Sequence, residues 1–211
     1  MKFFGEVVNK ANEINPVLGT SMEVAFEFIP YVGKAISSIK THRLTKRVKE
    51  HSKQLERIAK LHSSERLSAG YINERIFPIV LESLIEEHED AKINLILNGF
   101  ENVFIEKKTN ESMVINYFDT LRDLRYMDVK RLYYLADITD EFSFGTQDEE
   151  ERAVTRNIDK KLQNFGFFGL ESIAFGVGEQ EVTKDNVRIY PYGERFLNFI
   201  TVHLDESGDT E

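Results

Sequence analysis

From Glu86 to Ile138 the chain reads EEHEDAKINLILNGFENVFIEKKTNESMVINYFDTLRDLRYMDVKRLYYLADI, and its apolar residues return every three or four positions. A helix buried on one face requires that recurrence, which commits the chain to a mainly α fold. The spacing predicts three helices, about Glu87–Glu106, Glu111–Leu124 and Asp128–Ile138. The polar hinge Lys107-Lys108-Thr109-Asn110 parts the first two, and Arg125-Tyr126-Met127 parts the second two.

Little else in the chain interrupts long helices, since 211 residues contain only four prolines and twelve glycines. The length suffices for one large domain or two small ones with a buried core. Cysteine is absent, which excludes disulfides, thiolate metal sites and a cysteine nucleophile, and fits a reducing cytoplasm. The net charge of −9 is unevenly spread. Between Lys40 and Lys60, eight basic residues stand against Glu50 and Glu56, a local balance of +6 that leaves −15 for the remainder. An acidic protein of this kind is a poor general nucleic-acid binder, but one basic helix can meet an acidic partner.

In chain order, Met1–Pro16 lacks a continuous apolar core, so no secretory signal is expected. Val17–Ile39 is the most apolar stretch, yet Glu23, Glu27, Lys34, Pro30 and Gly33 interrupt it, so it fails as a transmembrane span. It reads as a kinked buried helix, or alternatively as an amphipathic leader lying on a membrane. From Lys40 to His62, the residues Leu44, Val48, His51, Leu55, Ile58 and His62 form a seam that suits packing against Ile76–Ile85 in a hairpin or bundle. Ser68–Asn73 reads as a cap for the next helix, with Pro78 near a first turn.

After Ile138 the pattern changes. Thr139–Gln147 reads as a loop, and the acids Asp148-Glu149-Glu150-Glu151 suit the start of a helix that carries Val154, Ile158 and Leu162 on one stripe. Strands are expected near Phe167–Phe175 and Asn186–Tyr190. A final helix starting near Pro191–Glu194 buries Phe196, Leu197, Ile200 and Leu204, and an acidic tail, Asp205–Glu211, reads as disordered.

The resulting order is helix, helix, helix, strand, turn, strand, which is the order of a winged helix. The division this suggests is a leader over 1–39, a helical bundle or hairpin over 40–106, a winged-helix-like α+β region over 107–204 and a tail over 205–211. The recognition helix of such a module, here the third, would enter the DNA major groove, but it opens with four acids that repel phosphate. Arg152, Arg156, Lys160 and Lys161 offset those acids in part, with Asp159 among them.

Over roughly residues 40–200 the arrangement resembles the Abi-alpha family of bacterial and prophage proteins, named for abortive infection. The resemblance lies in LTKRVKEHSKQLERI as an early basic helix, IFPIVLESLIEEHEDAKINLILNGFENV as a helix pair, and ESMVINYFDTLRDLRYMDVKRLYYLADI. It closes with LQNFGFFGLESI and PYGERFLNFI. It implies a role in phage resistance, in which an infected cell halts propagation at its own expense. It carries over no catalytic residue.

The residues themselves offer no catalytic chemistry. A di-iron bundle needs Glu-x-x-His pairs, and none of the five histidines has a glutamate at that offset. No serine lies in Gly-x-Ser-x-Gly, and neither Gly166-Phe167-Phe168-Gly169 nor Gly176-Val177-Gly178 has the lysine of a phosphate loop. Glu86–Asp90 reads as a solvated acidic helix end, and Tyr190-Pro191-Tyr192-Gly193 as a structural aromatic turn. The expectation is therefore a non-enzymatic interaction protein with no cofactor, metal or small-molecule substrate. Its partner would be a protein or a second copy. The alternatives are a peripheral membrane effector acting through residues 17–60 at the inner membrane face, and, least favoured, a DNA-binding regulator. The one candidate binding face is basic: Lys40, Arg43, Lys46, Arg47, Lys49, Lys53, Arg57 and Lys60, usually a solvated face but able to dock phosphate or an acidic protein.

Overall fold

A computed structural model describes residues 38–64, 67–68, 70–143, 149–171 and 181–201. The leader reading of 17–39, apart from Ser38 and Ile39, lies outside the described residues, as do Leu204, the tail and the second glycine pair. Among the described residues the protein is mainly helical, with one small two-stranded antiparallel sheet. The helices are α1 (Ser38–Glu50), α2 (Ser52–Ser64), α3 (Phe77–Glu86), α4 (Asp90–Ile105), α5 (Glu111–Asp123), α6 (Tyr126–Leu135), α7 (Glu149–Asn164) and α8 (Pro191–Ile200). The strands are β1 (Phe168–Leu170) and β2 (Val187–Ile189). The chain divides into one compact unit to Arg122, rejoined from Phe199, and a second over Asp123–Asn198. The hinge Lys107–Asn110 thus lies inside the first unit.

The first unit is built around α4. Twelve of its sixteen residues are buried, so the helix is enclosed on nearly all sides rather than on one stripe. Around it, α1 packs on α3, α2 on α4, and α3 on α4. The apolar seam of α1 and α2 is buried at Leu44, Val48, Leu55 and Ile58, while His51 and His62 are half-buried at its edge. The predicted single run from Lys40 to His62 is broken only at His51, across which backbone bonds continue from His51 N to Arg47 O and from Leu55 N to His51 O.

Pro78 is indeed in the first turn of α3, but a π-helical segment, Gly70–Ile76, leads straight into it. Proline has no N–H for the carbonyl four residues back and its ring crowds that carbonyl, so the widened turn falls where regular α geometry cannot be kept. Ser68 caps this segment, its Oγ accepting from Tyr71 N at 3.1 Å.

Three helices stop in the same way. At the ends of α4, α6 and α7 the residues Lys107 (φ 50), Asp137 (φ 58) and Gly166 (φ 73) are left-handed. The following amides return five residues, Lys108 to Val103, Ile138 to Tyr133 and Phe167 to Leu162. These are Schellman ends, which satisfy the last carbonyls and turn the chain. They explain why α6 ends at Leu135 and leaves Ile138 exposed, where periodicity alone carried the helix three residues further.

In the second unit α6 packs on α7, and α7 on β1. The two strands pair antiparallel with Phe168 opposite Ile189 and Leu170 opposite Val187. Phe167 fills this unit's core, stacked on Tyr192 at 5.6 Å and against Phe196 at 4.9 Å. The aromatic turn at Tyr190–Gly193 is therefore structural at Tyr192, while Tyr190 stays exposed. One stripe is corrected: Ile158 and Leu162 are buried, but Val154 is 38 % exposed, because the buried residues of α7 (Ile158, Asp159 and Leu162) all lie in its second half.

Helix α8 begins in the second unit, and Phe199 to Thr201 are counted with the first. Phe199, which the spacing did not single out, is fully buried among Gly99, Tyr117 and Phe118, with ring centroids at 5.0 and 5.1 Å from the latter two. A methyl group on Gly99 would lie 2.6 Å from Phe199 Cε1, so the glycine is what admits the ring.

Candidate functional site

The eight basic residues of the expected binding face divide into two groups. Arg47 is the deepest, its side chain 2 % exposed. Its guanidinium donates to Leu84 O at 2.8 Å, to Glu87 O at 2.7 Å and to Asp90 Oδ1 at 2.7 Å. Arg43 donates to Ile85 O at 3.2 Å. The carbonyls at the end of α3 have no intrahelical partner and sit at the negative end of its dipole, so two arginines cap them directly. Lys40 pairs with Glu86, and Lys46 reaches Asp90 at 3.2 Å. Arg57 binds Glu101 through both carboxylate oxygens, at 2.9 and 3.2 Å. Lys49, Lys53 and Lys60 remain exposed.

This clamp meets the Glu86–Asp90 turn, which the sequence presented as a solvated acidic end. Hydrogen bonds from Arg47, then from Lys46, hold the Asp90 carboxyl below its usual range. Burial pushes the Glu87 carboxyl upward, but Lys92 and the amides of Glu89 and His88 outweigh it and leave it lowered. Glu87 Oε1 accepts from His88 N at 2.7 Å and Glu89 N at 2.9 Å, and Oε2 pairs with the buried Lys92 at 2.7 Å. The acidic turn is thus a folded corner, held from α1 on one side and from α4 on the other.

A second polar network crosses the core of the first unit, and sequence reasoning missed it. Gln54 donates to Asn98 Oδ1 at 2.8 Å and to Glu101 Oε2 at 3.0 Å. Asn98 donates to Ile200 O at 2.9 Å, and Asn102 to Phe199 O and Thr201 O at 2.9 and 2.8 Å. Two amides one turn apart on α4 therefore cap the C-terminal carbonyls of α8. The signal lay in Asn98, Glu101 and Asn102 interrupting an otherwise apolar helix, since polar groups at enclosed positions must find partners. Among the described residues no buried side-chain polar atom lacks one.

In the second unit, Arg131 and Asp159 form a bidentate pair at 2.8 and 3.0 Å, their side chains 8 and 6 % exposed. Arg131 also donates to Val182 O at 2.7 Å and lies over the rings of Tyr134 and Phe142, each 5.2 Å away. Burial pushes the Asp159 carboxyl up, and Arg131 pulls against it. Lys161 bridges Asp128 and the carbonyl of Asp123, both at 2.7 Å. Asp159 and Lys161 are therefore anchors, where the sequence counted both toward a surface charge pattern. The exposed part of α7 comprises Glu149, Glu150, Arg152, Ala153, Val154, Arg156, Asn157, Lys160 and Asn164. Its acids come first and its bases follow.

Cavities add little. The first unit has an apolar cleft between Ile58, His62, Ile72, Phe77, Phe100 and Phe104. At about 20 Å³ it is room for roughly one water molecule, far below a small-molecule site. His62 lies edge-on to Phe104 at its lip, its pKa lowered by burial. No three His, Asp or Glu residues are grouped to hold a metal among the described residues, and no described helix is long and apolar enough to cross a membrane. In comparisons with known proteins, no family model, no curated protein and no solved structure matches the chain.

Proposed function

We propose that this chain is a non-enzymatic interaction protein that recognises a protein partner through a helix face. The observation that carries the reading is α7. The helix is held by Ile158, Asp159 and Leu162 in its second half, while Glu149, Glu150, Arg152, Ala153 and Val154 in its first two turns are exposed. A small apolar centre with charges of both signs around it suits a protein surface better than a phosphate backbone. The fate of the basic helix supports the same choice, because Arg43 and Arg47 cap α3 and Lys40, Lys46 and Arg57 pair with acids of the same unit. That weakens both the phosphate-docking and the membrane readings, which drew on the same charges.

The setting we propose, from the resemblance to the Abi-alpha family, is a phage-resistance or prophage system in the bacterial cytoplasm. The finer architecture in this proposal is a winged helix, supported by the succession α6, α7, β1, β2 and by the antiparallel register of the strands. Glu149 and Glu150 at the start of α7 disfavour DNA as its target.

The test is affinity capture from phage-infected and uninfected bacterial cells with the full chain and its Val154→Asp variant. The expected result is a defined partner retained by the wild type and lost by the variant. Identical captures by the two proteins would contradict the reading.

A further inference from the structure

Helix α8 is anchored at its two ends by different units. Its first part is held in the second unit, where Tyr192 stacks on Phe167 at 5.6 Å and Phe196 packs on the same ring at 4.9 Å. Its last turn is held in the first unit. There Phe199 fills the place that Gly99 leaves beside Tyr117 and Phe118. The carbonyls of Phe199, Ile200 and Thr201 accept from the side-chain amides of Asn98 and Asn102.

We propose that α8 couples the two units, so that they unfold in one cooperative transition. Neither anchorage sustains the helix alone. α8 has ten residues, and isolated helices shorter than about 12–15 residues are marginal in water. When its first part melts, the last turn loses the backbone direction that aims three carbonyls at two amides. Asn98 and Asn102, 8 and 1 % exposed, then lose their acceptors in the core of the first unit. Asn98 is also the acceptor of Gln54, so the loss reaches α2. In the other direction, release of Phe199 takes the cap from the last carbonyls of α8. The helix frays toward Phe196 and Tyr192, and Phe167 loses the ordered rings it packs against. A ligand that holds either unit folded therefore stabilises the other.

The test is native-state hydrogen exchange of the full chain, read at the slowest-exchanging amides of α4 in the first unit and of α7 in the second. Arg195 is exposed in the middle of α8, so Arg195→Ala and Arg195→Gly differ from each other in helix propensity alone. The glycine variant should exchange about fivefold faster than the alanine variant, in α4 and α7 alike. Phe167→Leu alters a side chain of the second unit and Phe199→Leu one of the first. Each should speed α4 and α7 by one common factor, and loss of protection in both helices together would support the coupling as well. A Phe167→Leu protein that loses protection in α7 while α4 keeps its wild-type rates overturns the inference, and so does the reverse for Phe199→Leu. Arg195→Gly rates that match Arg195→Ala in either helix overturn it too, since the helicity of α8 then does not link the units.

Discussion

Arg131→Ala is expected to lower the unfolding free energy by about 3–5 kcal/mol, the usual result of removing one member of a buried ion pair. The loss has three parts. Asp159 keeps a buried carboxylate without its counter-charge, the carbonyl of Val182 loses its donor, and the Tyr134 and Phe142 rings lose the guanidinium they flank. The effect has a definite pH dependence. Burial already raises the Asp159 carboxyl against the pull of Arg131, so without Arg131 it rises further. A carboxyl with a folded pKa above its unfolded value of about 3.9 favours the fold when protonated, and that contribution is lost as pH rises through the window between the two values. The deficit of the variant should therefore be smallest near pH 4 and grow toward pH 7. Urea unfolding at both pH values measures it. The paired variant Arg131→Met/Asp159→Leu should recover most of the loss, because an apolar pair carries no stranded charge. A single variant within about 0.5 kcal/mol of wild type would show that the pair is not closed in solution.

Arg47→Met should cost about 3 kcal/mol in the first unit, again read by urea unfolding. The methionine fills much of the volume but leaves Leu84 O and Glu87 O without the guanidinium's bonds and removes both Arg47 contacts to Asp90, which keeps Lys46. Arg47→Lys should regain only part of this, since an ammonium cannot serve two carbonyls and a carboxylate with a planar fork. Lys53→Ala, on the exposed side of the adjoining helix, should change stability by no more than about 0.5 kcal/mol. Equal effects at Arg47 and Lys53 would contradict the division of the basic helix into clamp and surface.

Helix positions were legible because apolar spacing at 3.6 residues is a strong local signal. The three helices from Glu87 to Ile138, the α7 helix and the final helix all lie within a few residues of where spacing put them. The helix ends were less legible. Left-handed Lys107 and Asp137 are not glycine, so no local signal marked where the turns would close. The division of charge was not legible at all. A basic helix and an acidic turn some forty residues apart read as two surface patches, and only folding brings Arg47 to Glu87 and Asp90. Val154 was misassigned for a related reason: periodicity gives a stripe's direction, but not how far along the helix the packed neighbours extend.

The claim with most bearing on function is that α7, and not the basic helix, is the docking face. The chain has no cysteine, so Val154→Cys places a single thiol on the exposed face of α7. Attaching a bulky maleimide to that thiol before capture from phage-infected cells tests the claim most directly, with Lys53→Cys on the basic helix as the comparison. A bulky group on a docking face excludes the partner, and one on a free surface does not. The account predicts that the labelled Val154→Cys protein loses the partner and the labelled Lys53→Cys protein keeps it. Capture unchanged by the label at Val154→Cys, or lost equally with the label at Lys53→Cys, would contradict it.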